Sequence, residues 1–310
     1  MDRINCAGDS NRAAIILAGG EGRRLGELTR KIAGFHLPKQ FCAVVGEIPL
    51  LEQTRRRVSR CVPQERISFV LNRQHSRFFA PLLDNVPARN LIVQPYNRGT
   101  APAILYSLLR LAELASSASV LLMPSDHYVA DEAALVNYIN CAFATVEERP
   151  EFTVLLGIIP DKPETGYGWI KPGASLYTSR GDVLQVRGFW EKPSGLIVSE
   201  LMAAGYLWNS FIVVGRVSTL LALFMMTMPR LYRAFSKIRP IFGTYFEEQT
   251  VYRLYEDLAS TDFSREVLES ATMDLAVLPV RDIGWTDLGE PARVTKTLNS
   301  LGVQQKWAAA

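Results

Sequence analysis

Long apolar runs are missing from this chain: nowhere do about 18 apolar residues follow one another, so no segment reads as a membrane-spanning helix. Cysteine is sparse. The four present, Cys6, Cys42, Cys61 and Cys141, are scattered, with no CxxC pair and no apolar signal sequence ahead of them. The expectation is reduced thiols in a cytoplasmic protein, with no membrane partner. A charge excess is absent too. Thirty-four Lys and Arg stand against 31 Asp and Glu, a net charge of +3, which gives no case for a nucleic-acid-binding surface; any basic site is local. There is no internal repeat, linker or low-complexity segment, which favours one elaborated domain over two.

What is present fills a core. Over 310 residues, 48% are hydrophobic, enough for an enlarged single α/β domain. Short β-rich runs alternate with helical patterns, the order of a mostly parallel sheet flanked by helices. Candidate strands are 13–19, 67–72, 91–95, 119–124 and 152–158. Between them, "PLLEQTRRRVSRCV", "QHSRFFAPLLDNV" and "APAILYSLLRLAELA" carry apolar residues at three- and four-residue spacing, and Thr100 with Pro102 reads as an N-cap and first turn. From about 160, "GYGWIKPG" and "VLQVRGFWEKP" read as an antiparallel extension. The expected division is a tail at 1–12, an α/β core at 13–215, and a helical, Met- and Phe-rich segment at 216–270. A returning strand at 274–280, a loop and a closing helix complete the chain to 310.

After the first strand comes "LAGGEGRRLGELTRKIAGFHLPKQF" (17–41). It is not a P-loop, because no Gly-Lys-Ser/Thr follows the first glycines, and it is not GxGxxG, because Leu25 stands three beyond Gly22. What remains is a turn of Gly19, Gly20 and Gly22, whose backbone N–H groups can approach an anion closely, with the cations Arg23, Arg24 and Lys39 beside it. That combination suits a polyphosphate; the competing reading is a plain strand-to-helix turn with solvated arginines. "MPSDH" and "GWTDLG" place Asp126 and Asp287 past the ends of apolar strands, where open α/β sheets bind ligands. Two carboxylates beside a cationic glycine loop match the habits of Mg²⁺, which takes one or two protein carboxylates and fills its other positions with water and phosphates. Singly, Asp126 could as well cap the next helix and Asp287 organise a turn. His127 reads as a packed or hydrogen-bonded histidine.

The ordered set "LAGGEGRRL", "PKQF", "QPYNRGTAPAI", "PSDH", "TGYGWI", "EKP", "WNS" and "GWTDLG", spread over 13–289, resembles the nucleotidyltransferases that make sugar nucleotides, and most closely the mannose-1-phosphate guanylyltransferases. The resemblance implies the Rossmann-like nucleotide-diphospho-sugar transferase fold, GTP and a sugar 1-phosphate as partners, Mg²⁺ as cofactor and a possible homodimer. The expectation is a protein without the cupin-like isomerase domain that bifunctional relatives carry.

Residue by residue, the resemblance implies that Gly19, Gly20, Gly22, Arg24 and Lys39 hold the nucleotide triphosphate, and that Gln94, Gly99, Thr100 and Ala101 lie against base and ribose. Asp126 and Asp287 correspond to the magnesium ligands. Gly166 and Tyr167 correspond to a sugar-contacting turn, Glu191 and Lys192 to the pair at the sugar and its phosphate, and Asn209 to the polar residue near the hexose. Arg24, Lys39 and Lys192 would then carry the catalytic charge. Some positions depart from the pattern: Gly26 and Glu27 replace a usual Trp-Pro, the loop between Arg30 and Pro38 is long, Phe211 replaces a Gly, and Leu275 an aromatic residue. These are expected near the base and sugar pockets. Two function classes stand, an active nucleotidyltransferase and a silent paralogue that binds nucleotide sugar to regulate a partner. Retention of Lys39, Asp126 and Asp287 favours the enzyme.

Overall fold

The computed structural model describes residues 11–178 and 182–302; most of the tail expected at 1–12, Cys6 with it, and the last residues of the chain lie outside them. In chain order the elements begin with β1 (Arg12–Leu17), α1 (Gly26–Ala33), α2 (Leu50–Val58), β2 (Ile67–Asn72), α3 (Ser76–Phe79), β3 (Leu91–Gln94) and α4 (Thr100–Ala115). They continue with β4 (Ser119–Pro124), α5 (Glu132–Glu148), β5 (Thr153–Ile158), β6 (Trp169–Leu176), β7 (Val183–Trp190), α6 (Val198–Ala203) and β8 (Leu207–Arg216). The last are α7 (Val217–Thr227), α8 (Pro229–Ser236), α9 (Glu247–Glu256), β9 (Leu275–Val280) and α10 (Pro291–Ser300).

One nine-stranded sheet runs β3-β2-β1-β4-β8-β5-β9-β7-β6. The first four strands are parallel, and β5 pairs parallel with β9. Strand alternation sends Ala14, Ile16 and Ala18 into one hydrophobic cluster, beneath α2 and α5, and Ala13 and Ile15 into the other, beneath α4, α7 and α9. Both faces are therefore covered, and every residue of β4 and β5 is buried, as parallel strands require. This is the expected α/β class.

Several local expectations need correction. The strongest is β8, which the sequence reading did not assign: it lies in the middle of the sheet, antiparallel to β4 and β5, and its first residues also pair with β6. Its pairings close a circuit through β5, β9, β7 and β6. In "LWNSFIVVGR" the polar Asn209 and Ser210 interrupt the apolar pattern; the buried Ser210 hydroxyl donates to Leu156 O and accepts from Ile212 N–H, so both of its hydrogen-bonding roles are met inside the sheet. The first strand ends at Leu17, freeing Ala18 and Gly19 for the loop, and "QHSRFFAPLLDNV" shrinks to a short turn and α3. Thr100 is not the N-cap of α4. That position belongs to Gly99 (φ 83°, ψ −175°), while the Thr100 hydroxyl accepts from Phe263 N–H at 2.7 Å and donates to Asp262 at 3.3 Å. The long loop expected after Arg30 is shortened by α1, which ends on Gly34 in the left-handed region.

A third, smaller cluster positions the site. Leu25, Val44, Val45 and Leu50 pack against Leu288, Val294 and Leu298, clamping the segment after the glycine loop to the last loop and α10. An isolated antiparallel bridge between Tyr128 and Thr286 joins the loops that follow β4 and β9.

Two backbone positions are diagnostic. Gly99 occupies a region that only glycine enters freely, and a Cβ there would stand 2.2 Å from the Thr261 carbonyl oxygen. Gly99→Ala is expected to lower the unfolding free energy by about 2–4 kcal/mol, measured by urea denaturation; a loss under about 0.5 kcal/mol would show that this approach is not maintained. Phe211, at the position where the resemblance anticipates glycine, has φ 60°, a left-handed conformation costly for a bulky residue. Phe211→Gly and Phe211→Ala lose the same ring, so their difference reports backbone strain. The glycine variant should be the more stable by about 1 kcal/mol, and equal melting temperatures would refute the strain.

Candidate functional site

The glycine loop leaves β1 over the carboxyl edge of the sheet. Gln40 staples it, donating to the carbonyls of Ala18 (2.9 Å) and Gly20 (2.7 Å). Gly22 is left-handed, and a Cβ on it would reach 2.9 Å from the Lys39 amide nitrogen, so the loop folds tightly on the segment carrying Lys39. Beneath it opens a cavity of about 370 Å³ whose walls include Gly19, Gly20, Gln94, Gly99, Thr100 and Asp126. Six of the anticipated residues thus meet in one space. Phe211, Asp262 and His127 also line it. Gln94 is held by the Tyr255 hydroxyl at 3.2 Å, and its amide nitrogen would stand 3.0 Å from a Cβ on Gly19.

Lys39 is 6% exposed. Its ammonium lies 3.0 Å from Asp126 Oδ2 and donates to the carbonyl oxygens of Asp287 (2.6 Å) and Leu288 (3.4 Å). The loops bearing the two aspartates are therefore tied through one cation. Asp131, not Asp126, caps the next helix, accepting from Ala134 N–H at 2.8 Å, which leaves Asp126 facing the cavity. Asp287 both organises its turn and serves as a hub: its Oδ1 accepts from Gly289 N–H (2.8 Å), Tyr167 OH (3.0 Å) and Arg293 Nη1.

Burial alone would raise the Asp287 carboxyl, but His127 and Arg293 outweigh it and hold it below the usual range. His127 is itself pushed down to about 4 by burial, so near neutral pH Arg293 is the cation responsible. The neutral His127 accepts from Trp285 Nε1 at 3.3 Å; this fits the packed, hydrogen-bonded reading and not a solvent-facing base.

The anticipated sugar residues form a second group, joined to the first through the Tyr167–Asp287 hydrogen bond. Gly166 N–H donates to Glu164 at 3.0 Å. Gly168 gives close passage to Glu191 and Asn209, whose atoms would lie 2.7 and 3.2 Å from a Cβ there. Burial raises the Glu191 carboxyl despite the Lys192 ammonium 3.2 Å away. Lys192 is half-exposed and left-handed (φ 51°), so its charge can swing toward a ligand. Asn209 accepts from Phe211 N–H at 3.0 Å.

Not every anticipated residue arrives at the cavity wall. Arg24 is 62% exposed and 4.0 Å from Glu290, Arg23 pairs with Glu21, and Ala101 is buried, its N–H donating to Thr261 O. Among the departures, Leu275 is wholly core and Gly26 begins α1; neither lines the cavity, whereas Phe211 does. The residues missed were Gln40, Trp285, Glu164 and Arg293. Gln40 stands inside the quoted "PKQF" and could have been found as the loop's staple. Arg293 offered no signal, being one arginine in an amphipathic helix.

Among the described residues no cluster of three metal-ligating side chains occurs. The donors Asp126 and Asp287 are nevertheless hard carboxylate oxygens on loops tied to one ammonium, and Mg²⁺ needs few protein ligands when phosphates supply the rest. The residues present fit such an ion. No helix among them is long and apolar enough to cross a membrane.

Comparison with known proteins agrees with this geometry. The family profile described as nucleotidyl transferase matches residues 13–301. Alginate biosynthesis protein AlgA of Pseudomonas syringae pv. tomato is 37% identical over 210 residues, 67% of this chain and 42% of that protein. Mannose-1-phosphate guanylyltransferase RfbM of Salmonella typhimurium is 30% identical over 284 residues, 89% of this chain and 56% of its own length. The chain spans about half the length of the curated relatives it matches. A crystal structure from Thermus thermophilus, described as a mannose-1-phosphate geranyltransferase, superposes with TM-score 0.77 at 29% identity, covering 95% of this chain and 80% of that one. With a profile that runs from β1 to the end of α10 and a site assembled from the same motifs, the chain belongs to the nucleotidyl transferase family.

Proposed function

We propose that this protein transfers a guanylyl group from GTP to mannose 1-phosphate in the cytoplasm, releasing pyrophosphate and forming GDP-mannose. The observation that carries the reading is the single cavity beneath the stapled glycine loop, lined by Gly19, Gly20, Gln94, Gly99, Thr100 and Asp126 and joined through Asp287 to the Gly166–Tyr167 turn. Relatives that carry the name mannose-1-phosphate guanylyltransferase support the choice of base and hexose.

An oxygen of the sugar phosphate attacks the α-phosphorus in line, the bond from that phosphorus to the bridging oxygen breaks, and pyrophosphate departs from the far side. The phosphate monoester is largely ionised near neutral pH, so no general base is required, consistent with the neutral, hydrogen-bonded His127. The chain's part is to position two anions and offset their repulsion. Gly19 and Gly20 offer backbone donors to the triphosphate, Gln94, Gly99 and Thr100 receive base and ribose, and Arg24 lies where its exposed side chain can turn toward the leaving phosphates. Lys192 holds the attacking phosphate, while Glu191, Asn209 and Tyr167 face the hexose. Lys39, already committed to Asp126 and two carbonyls, acts by keeping the two acidic loops together. Mg²⁺ held by Asp126 and Asp287 would neutralise charge on the departing pyrophosphate.

The test is a pyrophosphate-release assay offering GTP, ATP, UTP and dTTP with mannose, glucose and fucose 1-phosphates. GTP with mannose 1-phosphate is expected to give the highest kcat/KM. Another preferred pair would overturn the substrate assignment, and nucleotide binding without release from any pair would favour the regulatory paralogue. Asp126→Asn should abolish metal-dependent turnover in a protein that still folds but melts at a lower temperature, because the buried Lys39 ammonium loses its carboxylate; near-normal turnover would remove Asp126 from the metal site. Lys39→Met should both reduce turnover and destabilise the fold by about 3 kcal/mol, because it strands a partly buried carboxylate and two carbonyls. Unchanged stability on urea denaturation would show that the three contacts to Lys39 are dispensable.

A further inference from the structure

Arg293 belongs to no motif of the resemblance, yet it is the most heavily engaged side chain at the sugar end of the site. It enters from the first turn of α10 and is 7% exposed. Its Nη1 donates to Asp287 Oδ1, its Nη2 lies 2.9 Å from Glu164 Oε2, and its guanidinium sits 4.5 Å from the centre of the Tyr167 ring. Tyr167 in turn donates to the oxygen of Asp287 that Arg293 uses. Both acids expected to hold the metal therefore already have a buried cation: Lys39 for Asp126 and Arg293 for Asp287.

Charge balance gives this consequence. Asp126, Asp287 and Glu164 contribute three negative charges, and Lys39, Arg293 and Lys162, the last 3.1 Å from Glu164, contribute three positive ones. A divalent cation arriving alone would add two positive charges to a compensated patch in which Lys39 and Arg293 are both buried, and repulsion from buried charges is weakly screened. A polyphosphate arriving with it reverses the balance. We propose that Arg293 is the counter-ion that makes metal binding at Asp126 and Asp287 conditional on the nucleotide: it holds Asp287 compensated until phosphate oxygens supply the missing negative charge. Metal and nucleotide are then positively coupled, each raising the affinity for the other. Arg293 is a positioning residue that acts through Asp287. The proposal rests on the reading of Asp126 and Asp287 as metal ligands.

The experiment needs no turnover. Mn²⁺ is titrated into the full chain without nucleotide, and free Mn²⁺ is followed by electron paramagnetic resonance. The unmodified protein should bind weakly, and Arg293→Met should bind at least tenfold more tightly, since the removed charge leaves Asp287 uncompensated. Arg293→Lys, which keeps the charge, should stay near the parent value. Adding Asp126→Asn to Arg293→Met should abolish the gain. Circular dichroism and melting temperature establish that each variant is folded, and if Arg293→Met fails that check the parent and the lysine variant still decide: strong nucleotide-free binding by either overturns the proposal. No gain in a folded Arg293→Met, or a gain that survives Asp126→Asn, also overturns it. Failure of the guanylyltransferase reading would appear separately, as absent pyrophosphate release with the Mn²⁺ pattern intact.

Discussion

The ammonium of Lys39 is the contact on which the site depends. It is nearly sealed from solvent, and it reaches a carboxylate on the loop after β4 and two carbonyls on the loop after β9. A buried charge is tolerated only when its donors are satisfied, so the chain must bring segments about 250 residues apart to one point. The small cluster that packs Leu25 and Leu50 against Leu288 and Val294 provides the apolar surface that makes this approach favourable, and the Tyr128–Thr286 bridge sets its register. The placement of Asp126 and Asp287 and the packing of their loops are therefore one problem, solved together.

From this point the site divides by charge. In the cavity the walls are mostly backbone, apolar and neutral polar groups, with Asp126 and Asp262 as the charged exceptions. Around Asp287 the opposite holds, with carboxylates and cations interleaved and Tyr167 inserted among them. Such an arrangement holds the Gly166–Tyr167 turn and the acidic loop as one unit, and the aromatic contacts Tyr167–Trp285 and His127–Trp285, at 5.1 and 5.3 Å between ring centres, extend that unit to the loop after β4. A residue such as Trp285, silent in catalytic terms, fixes the separation between the two halves.

Backbone strain collects in the same place. Of the four left-handed non-glycine residues among those described, Asp282 lies just after β9, and the other three, Lys192, Phe211 and Leu288 beside Asp287, lie near the site. Each of these three stands at a point where a strand or loop turns toward the cavity, and each such residue costs of order 1–3 kcal/mol unless surrounding contacts impose it. For Phe211 those contacts are the Asn209 side-chain Oδ1, which accepts from its N–H, and the Phe263 ring 6.1 Å away.

The amino-acid sequence by itself determined the parallel half of the sheet and the glycine loop at its edge. The runs at 67–72 and 119–124 coincide with β2 and β4, because a strand buried on both faces is written as a continuous apolar segment, a local property. The glycine loop was equally readable, since freedom at Gly22 and Gly99 is a property of the residue itself. Tertiary structure alone decided the rest. It placed β8 antiparallel in the middle of the sheet, although polar Asn209 and Ser210 obscure its pattern; it buried Lys39 between the loops after β4 and β9; and it delivered Arg293 to Asp287 and Glu164. These outcomes depend on which side chains are left facing one another once the helices have covered the sheet. Periodicity and spacing encode the face on which a residue lies, whereas the partner it meets there, more than a hundred positions away in the chain, is set only by packing.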